Sequence, residues 1–205
     1  MKKIMFNEPY GLQQATFDGS KTMTRRIVPD VILNYVPIYQ QQYYEATLST
    51  ISVEDAIINM VGPEKMFQRY VYQVGEVVAI AQQYSQIISA ITPRFAPHAK
   101  DWMRSEKGWS NRMVVKAEHM PHYIKIKSRR LEHLQDISDE DCLREGIYEH
   151  LKGVQYGFRS FIGYCGQYPF ATPRAAFAAL IDKTSRKGTW DRNPFVFVYE
   201  YERID

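Results

Sequence analysis

The chain has only two cysteines in 205 residues, Cys142 and Cys165, and no CxxC pair. That excludes a disulfide framework and a thiolate zinc cluster, and a reducing compartment is the simplest setting. Its five histidines, His98, His119, His122, His133 and His150, never fall at the i, i+4 spacing of a helical metal pair. No metal or other cofactor is expected. No apolar run approaches the roughly 20 residues of a membrane span. The run behind Met1-Lys2-Lys3 stops at Phe6, too short for a secretory leader. The expectation is a cytoplasmic protein without membrane contact. Net charge is also scarce: 26 basic against 23 acidic residues leave +3, too little to coat nucleic acid non-specifically. No internal repeat appears, which excludes a solenoid.

Hydrophobic and aromatic residues are plentiful. Forty-five per cent of the chain is hydrophobic, with 15 Tyr, 10 Phe and 3 Trp. That is enough to bury a substantial core, and it also supplies rings on which bases can stack. The length suits one domain, 1–205, enlarged by insertions.

Residues 2–6 read as a strand, followed by a helix capped by Asn7, with Glu8 and Pro9 in its first turn, running to Asp18. Gly19 is placed to end it in the left-handed conformation. Thr22 to Val28 reads as a strand. From 29 to 70 the pattern loosens into an insertion with one helix, Ser52 to Met60, capped by Ser52. Val74 to Gln82 has buried-strand composition. A second insertion covers 84–112, and Met113 to Ala117 is a further strand candidate.

Tyr123 to Leu134 alternates Lys125, Lys127 and Arg129 against Ile124 and Ile126, a strand with one cationic face. Such a face follows an RNA backbone or is simply solvated. Ser138 with Asp139, Glu140 and Asp141 opens a short helix in a capping-box-like arrangement, reaching Glu145 and ending at Gly146. A third insertion spans 148–171. Thr172-Pro173 opens a helix with Phe177, Leu180 and Ile181 on its apolar face, and Phe195 to Ile204 closes the chain as a strand buried on both faces in its first half. Strands interspersed with a few helices predict an α+β fold with a mixed or largely antiparallel sheet, which a barrel would close.

The stretch Gly19-Ser20-Lys21-Thr22-Met23-Thr24-Arg25-Arg26 carries the most chemistry. In a strand, Thr24 and Arg26 share a face, and Lys21 on the preceding turn can bend toward it. A hydroxyl, an ammonium and a guanidinium together suit a phosphate, a carboxylate or a polarised carbonyl. The same residues also read as solvated strand-end charges.

The run Gly19-x-Lys21-x-x-Thr24-x-Arg26 resembles the G-x-K-x-x-T-x-R signature of the ASCH family, relatives of the PUA RNA-binding domains. Tyr72 to Val78, with Glu76 where the family usually has aspartate, resembles its next strand; 138–147 resembles its acidic helix, and 195–202 its closing strand. These segments cover about half of the chain, in the manner of enlarged phage and prophage members.

The resemblance implies a PUA-like mixed β-barrel with flanking helices and inserted loops. It also implies RNA or a nucleoside as ligand. One branch removes the acetyl group from N4-acetylcytidine, and by motif its catalytic residues become Lys21, Thr24 and Glu145, with Glu140 or Asp141 as alternatives to Glu145. Gly19, Ser20, Arg26 and Glu76 would then bind substrate, and Lys125, Lys127 and Arg129 nucleic acid. A neutral Lys21 would act as base, its pKa lowered from about 10.4 by burial and Arg26, against the pull of any nearby carboxylate. Alternatives are a non-catalytic RNA or modified-nucleotide reader and a host-interaction protein.

Two further groups stand apart from that motif. Trp102, Arg104, Lys107 and Trp109 interleave rings and cations, as in a base-stacking surface or a small satellite core. Cys142 reads as a packed thiol, and Cys165, between Gly163 and Gly166, as incidental. Nothing in the sequence sets the oligomeric state.

Overall fold

The computed structural model describes residues 1–63, 65–91, 99–153, 155–158 and 170–204. Strands β1 (Lys3–Ile4), β2 (Met23–Ile27), β3 (Val77–Ile80), β4 (Tyr123–His133) and β7 (Phe195–Ile204) form a five-stranded sheet, and β5 (Tyr148–Leu151) with β6 (Gln155–Gly157) a separate hairpin. The order is β1-β3-β4-β7-β2, with β1 parallel to β3 and the other pairs antiparallel. This is the expected mixed α+β architecture.

Among the described residues the sheet stays open instead of closing into a barrel, with β1 and β2 as its edges. The physical reason is the shortness of β1. The chain turns at once, with Asn7 Oδ1 accepting from the Tyr10 amide at 3.1 Å, so no ladder to β2 forms. A side chain spans the seam: Arg26 Nη2 donates to the Met5 carbonyl at 2.5 Å.

Helix α1 is correspondingly shorter than its sequence pattern, Leu12–Phe17, because Gly11 takes a left-handed φ of 68° immediately before it. Gly19 has the expected left-handed φ, 78°.

Both faces of the sheet are covered. Phe197, Tyr199 and Tyr201 of β7 face one core with Ile80, Ile124 and Ile126; Val196 and Val198 face the other with Met23. The first half of β7 is thus buried on both sides, as its composition predicts.

Among the described residues the 29–70 insertion holds three α-helices, α2 (Asp30–Leu33), α3 (Val36–Thr47) and α4 (Val53–Met60), where sequence suggested only the last. Ile32, Val36, Ile57 and Met60 roof the first core. Ser52 caps α4 as read, accepting from the Asp55 amide at 3.0 Å.

The 84–112 insertion contributes α5 (Tyr84–Ile91) and α6 (Ala99–Ser105), packed on a small third core with Ile87, Met103 and Val115. Arg104 sits 5.8 Å from the Trp109 ring, and Trp109 packs against that core. The satellite-core reading therefore fits Trp109, while the Trp102 side chain lies outside the described residues. His98 and Cys165 also lie outside them.

Residues 113–117 form no strand. Lys3 Nζ takes the Met113 and Val115 carbonyls, each at 2.7 Å, which diverts the acceptors a ladder would use.

The second core is closed by α7 (Asp139–Arg144) and α8 (Pro173–Thr184), with α9 (Thr189–Arg192) beside them. Thr172 caps α8 by accepting from the Ala175 amide at 3.1 Å. Among the described residues no helix is long and apolar enough to cross a membrane.

Candidate functional site

The site grows from the junction of β2 with the end of α7. After the Gly19 turn, the Thr22 amide donates to the Arg144 carbonyl at 3.0 Å, which pins the start of β2 to the last turn of α7. At the other end of α7, Ser138 caps by accepting from the Asp141 amide at 3.1 Å. Glu145 is the C-cap, and Gly146 follows at φ 101°. A Cβ on Gly146 would meet Leu12 Cδ2 at 3.1 Å and Lys21 Cδ at 3.5 Å, so this glycine also makes room for the lysine stem.

Lys21 is 2% exposed, and its Nζ donates to three acceptors: Glu145 Oε2 at 2.6 Å, the Glu145 carbonyl at 2.7 Å and the Met23 carbonyl at 2.7 Å. An ammonium has three N–H bonds and a neutral amine two, so this surrounding matches the charged form. Burial pushes the Lys21 pKa below the usual lysine range, Glu145 pulls it back up, and Arg26 and Arg25 add to the lowering.

Of the three carboxylates considered for this position, Glu145 is the one facing Lys21. Asp141 goes to Arg25, and Glu140 is exposed.

Arg25 was not singled out by the motif, yet it organises the site. Its Nε and Nη2 clamp Glu132 Oε1 at 2.9 and 2.7 Å, Nη2 also reaches Asp141 Oδ2 at 2.8 Å, and Nη1 reaches Glu145 Oε1 at 3.2 Å. Three carboxylates around one buried guanidinium hold it firmly charged: burial opposes that, but Glu145, Asp141 and Glu132 together raise its pKa. The signal was present in the sequence. Alternation puts Arg25 on the face of buried Met23, where a charge needs partners, and α7 is rich in acid.

Thr24 and Arg26 share the opposite face of β2, paired with Tyr199 and Phe197, as strand alternation predicts. A cavity of about 340 Å³ runs along the free edge of β2 and is lined by Lys21, Thr24, Arg25, Arg26 and Glu145. Its walls include Phe6, Arg112 and the α8 residues Phe177, Leu180 and Ile181. That volume is at the lower end of the roughly 300–1,000 Å³ typical of small-molecule sites. Among the described residues no hydrogen bond reaches the Thr24 hydroxyl, and no group of three His, Cys, Asp or Glu gathers for a metal ion.

The other expected site residues lie elsewhere. Gly19 and Ser20 form the turn, with Ser20 Oγ donating to Asp18 Oδ1 at 2.6 Å, and do not line the cavity. Glu76 ties Lys2 at 3.1 Å and the Gln73 amide at 2.8 Å, also away from it.

The proposed cationic track on β4 is broken. Lys125 and Lys127 are exposed, Lys127 facing Glu202 at 3.2 Å, but the register shifts between Ile126 and Ser128. That bulge turns Arg129 to the other face, opposite Tyr199, where its Nη1 donates to the Val61 and Tyr72 carbonyls at 3.2 and 3.3 Å. Its guanidinium serves the backbone of the 61–72 segment.

No protein-family model, curated protein or solved structure matches this chain. The functional reading therefore rests on the site's own chemistry and the motif.

Proposed function

We propose that the cavity is an ASCH-type site, in a chain built on the PUA-like plan, that hydrolyses the N4-acyl amide of a cytidine-type nucleoside. The seam where Arg26 reaches the Met5 carbonyl is where such a barrel would close. The observation that carries the reading is the 2.6 Å contact of Lys21 with Glu145 in a cavity that Thr24 also lines. These are the three residues that the motif nominates.

The geometry favours an assignment of roles in which Lys21 is not the base. With its three protons already placed on acceptors, Lys21 acts as an ammonium, exchanging a main-chain acceptor for the substrate carbonyl oxygen and stabilising the oxyanion that forms there. The Glu145 carboxylate takes a proton from a water held by the Thr24 hydroxyl, and the water oxygen adds to the carbonyl carbon. Glu145 then returns that proton to N4 as the C–N bond breaks, releasing cytidine and the carboxylic acid.

The saturation of Lys21 favours one other reading, a pocket that binds a modified nucleotide without turning it over. Incubation with N4-acetylcytidine, followed by chromatography for cytidine, separates the two. Turnover that disappears in Thr24→Ala and Glu145→Gln, each checked for folding, supports hydrolysis. Binding without turnover supports the reader, and neither binding nor turnover overturns both.

A further inference from the structure

We infer that Arg26 is an oxyanion anchor, so that the ligand of this cavity carries a phosphate beside its base and is a nucleotide or a nucleic-acid phosphate in preference to a free nucleoside. The inference takes the identity of the base from the proposed function, but the anion site stands on separate observations.

Four cations line the cavity: Lys21, Arg25, Arg26 and Arg112. Three have carboxylate partners within it or at its margin, Lys21 on Glu145 at 2.6 Å, Arg25 on Glu132, Asp141 and Glu145, and Arg112 on Glu8 at 2.5 Å. Among the described residues Arg26 has none. Its Nη2 donates to the neutral Met5 carbonyl, and its buried Nε has no hydrogen-bond partner among those residues.

The adjacent arginine supplies an internal comparison. On Arg25 the Nε and Nη2 donors form one side of the guanidinium fork, and both are filled by a single carboxylate oxygen, Glu132 Oε1. On Arg26 the same side of the fork has Nη2 on a carbonyl and Nε empty. A phosphate oxygen taking the place of the Met5 carbonyl would bring a charge that the carbonyl lacks, and a small turn of the half-buried side chain would present the enclosed Nε to it, completing the fork as the carboxylate does on Arg25. The Phe6 ring centroid lies 5.8 Å from the Arg26 guanidinium, within cation–π reach.

The cavity also contains a directional bias. Thr184, the last residue of α8, and its C-cap Ser185 line it, and the partial negative charge of a helix C-terminus disfavours an anion there. With the phosphate on Arg26, Phe177, Leu180 and Ile181 are left to the uncharged part of the ligand.

Calorimetric titration of the full chain with cytidine, cytidine 5′-monophosphate, a cytidine trinucleotide and inorganic phosphate, at fixed ionic strength, tests this. The monophosphate or the trinucleotide should bind about tenfold or more tightly than cytidine, as a charge-assisted fork demands. Whichever of those two binds more tightly names the source of the phosphate. Arg26→Gln should remove the preference, and Arg26→Lys, which keeps charge without the fork, should retain only part of it; circular dichroism checks that both are folded.

Equal affinity of the wild-type protein for cytidine and its phosphorylated forms would overturn the inference, whatever the variants do. So would a preference that survives in folded Arg26→Gln. The result is separable from the hydrolysis test: a phosphate preference without N4-acetylcytidine turnover leaves the anion site standing and removes the amidohydrolase reading, while turnover without a phosphate preference does the reverse.

Discussion

Lys21 Nζ and Glu145 Oε2 meet at 2.6 Å across 124 residues of sequence, with side chains only 1% and 6% exposed. The pair is not symmetrical. Glu145 also holds Arg25, whereas Lys21 has Glu145 as its only carboxylate among the described residues.

That asymmetry predicts different costs for removing each partner. Glu145→Gln leaves buried Lys21 without its carboxylate, while Arg25 keeps Glu132 and Asp141, and should lose about 3–5 kcal/mol of stability, the usual penalty for breaking a buried pair. Lys21→Met removes a desolvated charge and leaves Glu145 with Arg25, so its loss should be smaller by at least about 1 kcal/mol. Urea denaturation of both variants measures the difference; a larger loss in Lys21→Met would show that Arg25 does not compensate Glu145.

A pH dependence follows from the lowered Lys21 pKa. Between the folded value and the ordinary value of 10.5 the unfolded chain binds more protons than the folded one, so stability rises with pH through that window. Below the folded value the burial penalty is fully present, and above about 10.5 the effect levels off. The wild-type protein should therefore gain stability relative to Lys21→Met as pH is raised toward 10.5, read as the difference between their denaturation free energies at each pH. A flat difference would place the folded pKa at the ordinary lysine value.

Gly146→Ala should cost about 1–2 kcal/mol for the left-handed backbone alone. The added Cβ, 3.1 Å from Leu12 Cδ2, presses on the residues that seat Lys21. Loss of ligand affinity beyond the loss of stability would show that this glycine also sets the Lys21–Glu145 contact.

Cys142 is fully buried, and burial pushes its thiol up to about 12. In a Cys165→Ser background at pH 8, its alkylation in the folded protein should be slower than in denaturant by on the order of a thousandfold, the loss of thiolate alone. Fast labelling of the native chain would contradict the packed position on α7.

Much of the fold was legible in the sequence because it depends on local chemistry. The Ser52, Ser138 and Thr172 caps, the Gly19 turn and the closing strand each follow from a residue type at a fixed offset, and each is found where that offset puts it. The helices of 29–70 were mostly missed. Ile32 and Val36 lie on short or weakly amphipathic elements whose helicity is supplied by the core that they cover.

The sequence by itself determined that Thr24 and Arg26 share a face of β2 and that α7 ends in Glu145, since strand alternation and capping are properties of neighbouring residues. Only the tertiary structure decided that Glu145, and not Glu140 or Asp141, meets Lys21, and that Arg25 gathers three carboxylates from β4 and α7. It likewise turned Arg129 away from Lys125 and Lys127, through one bulge that shifts a two-residue period by a single place. Those outcomes depend on how distant segments are brought together and on where a ladder slips, and neither is a property of any local run of residues.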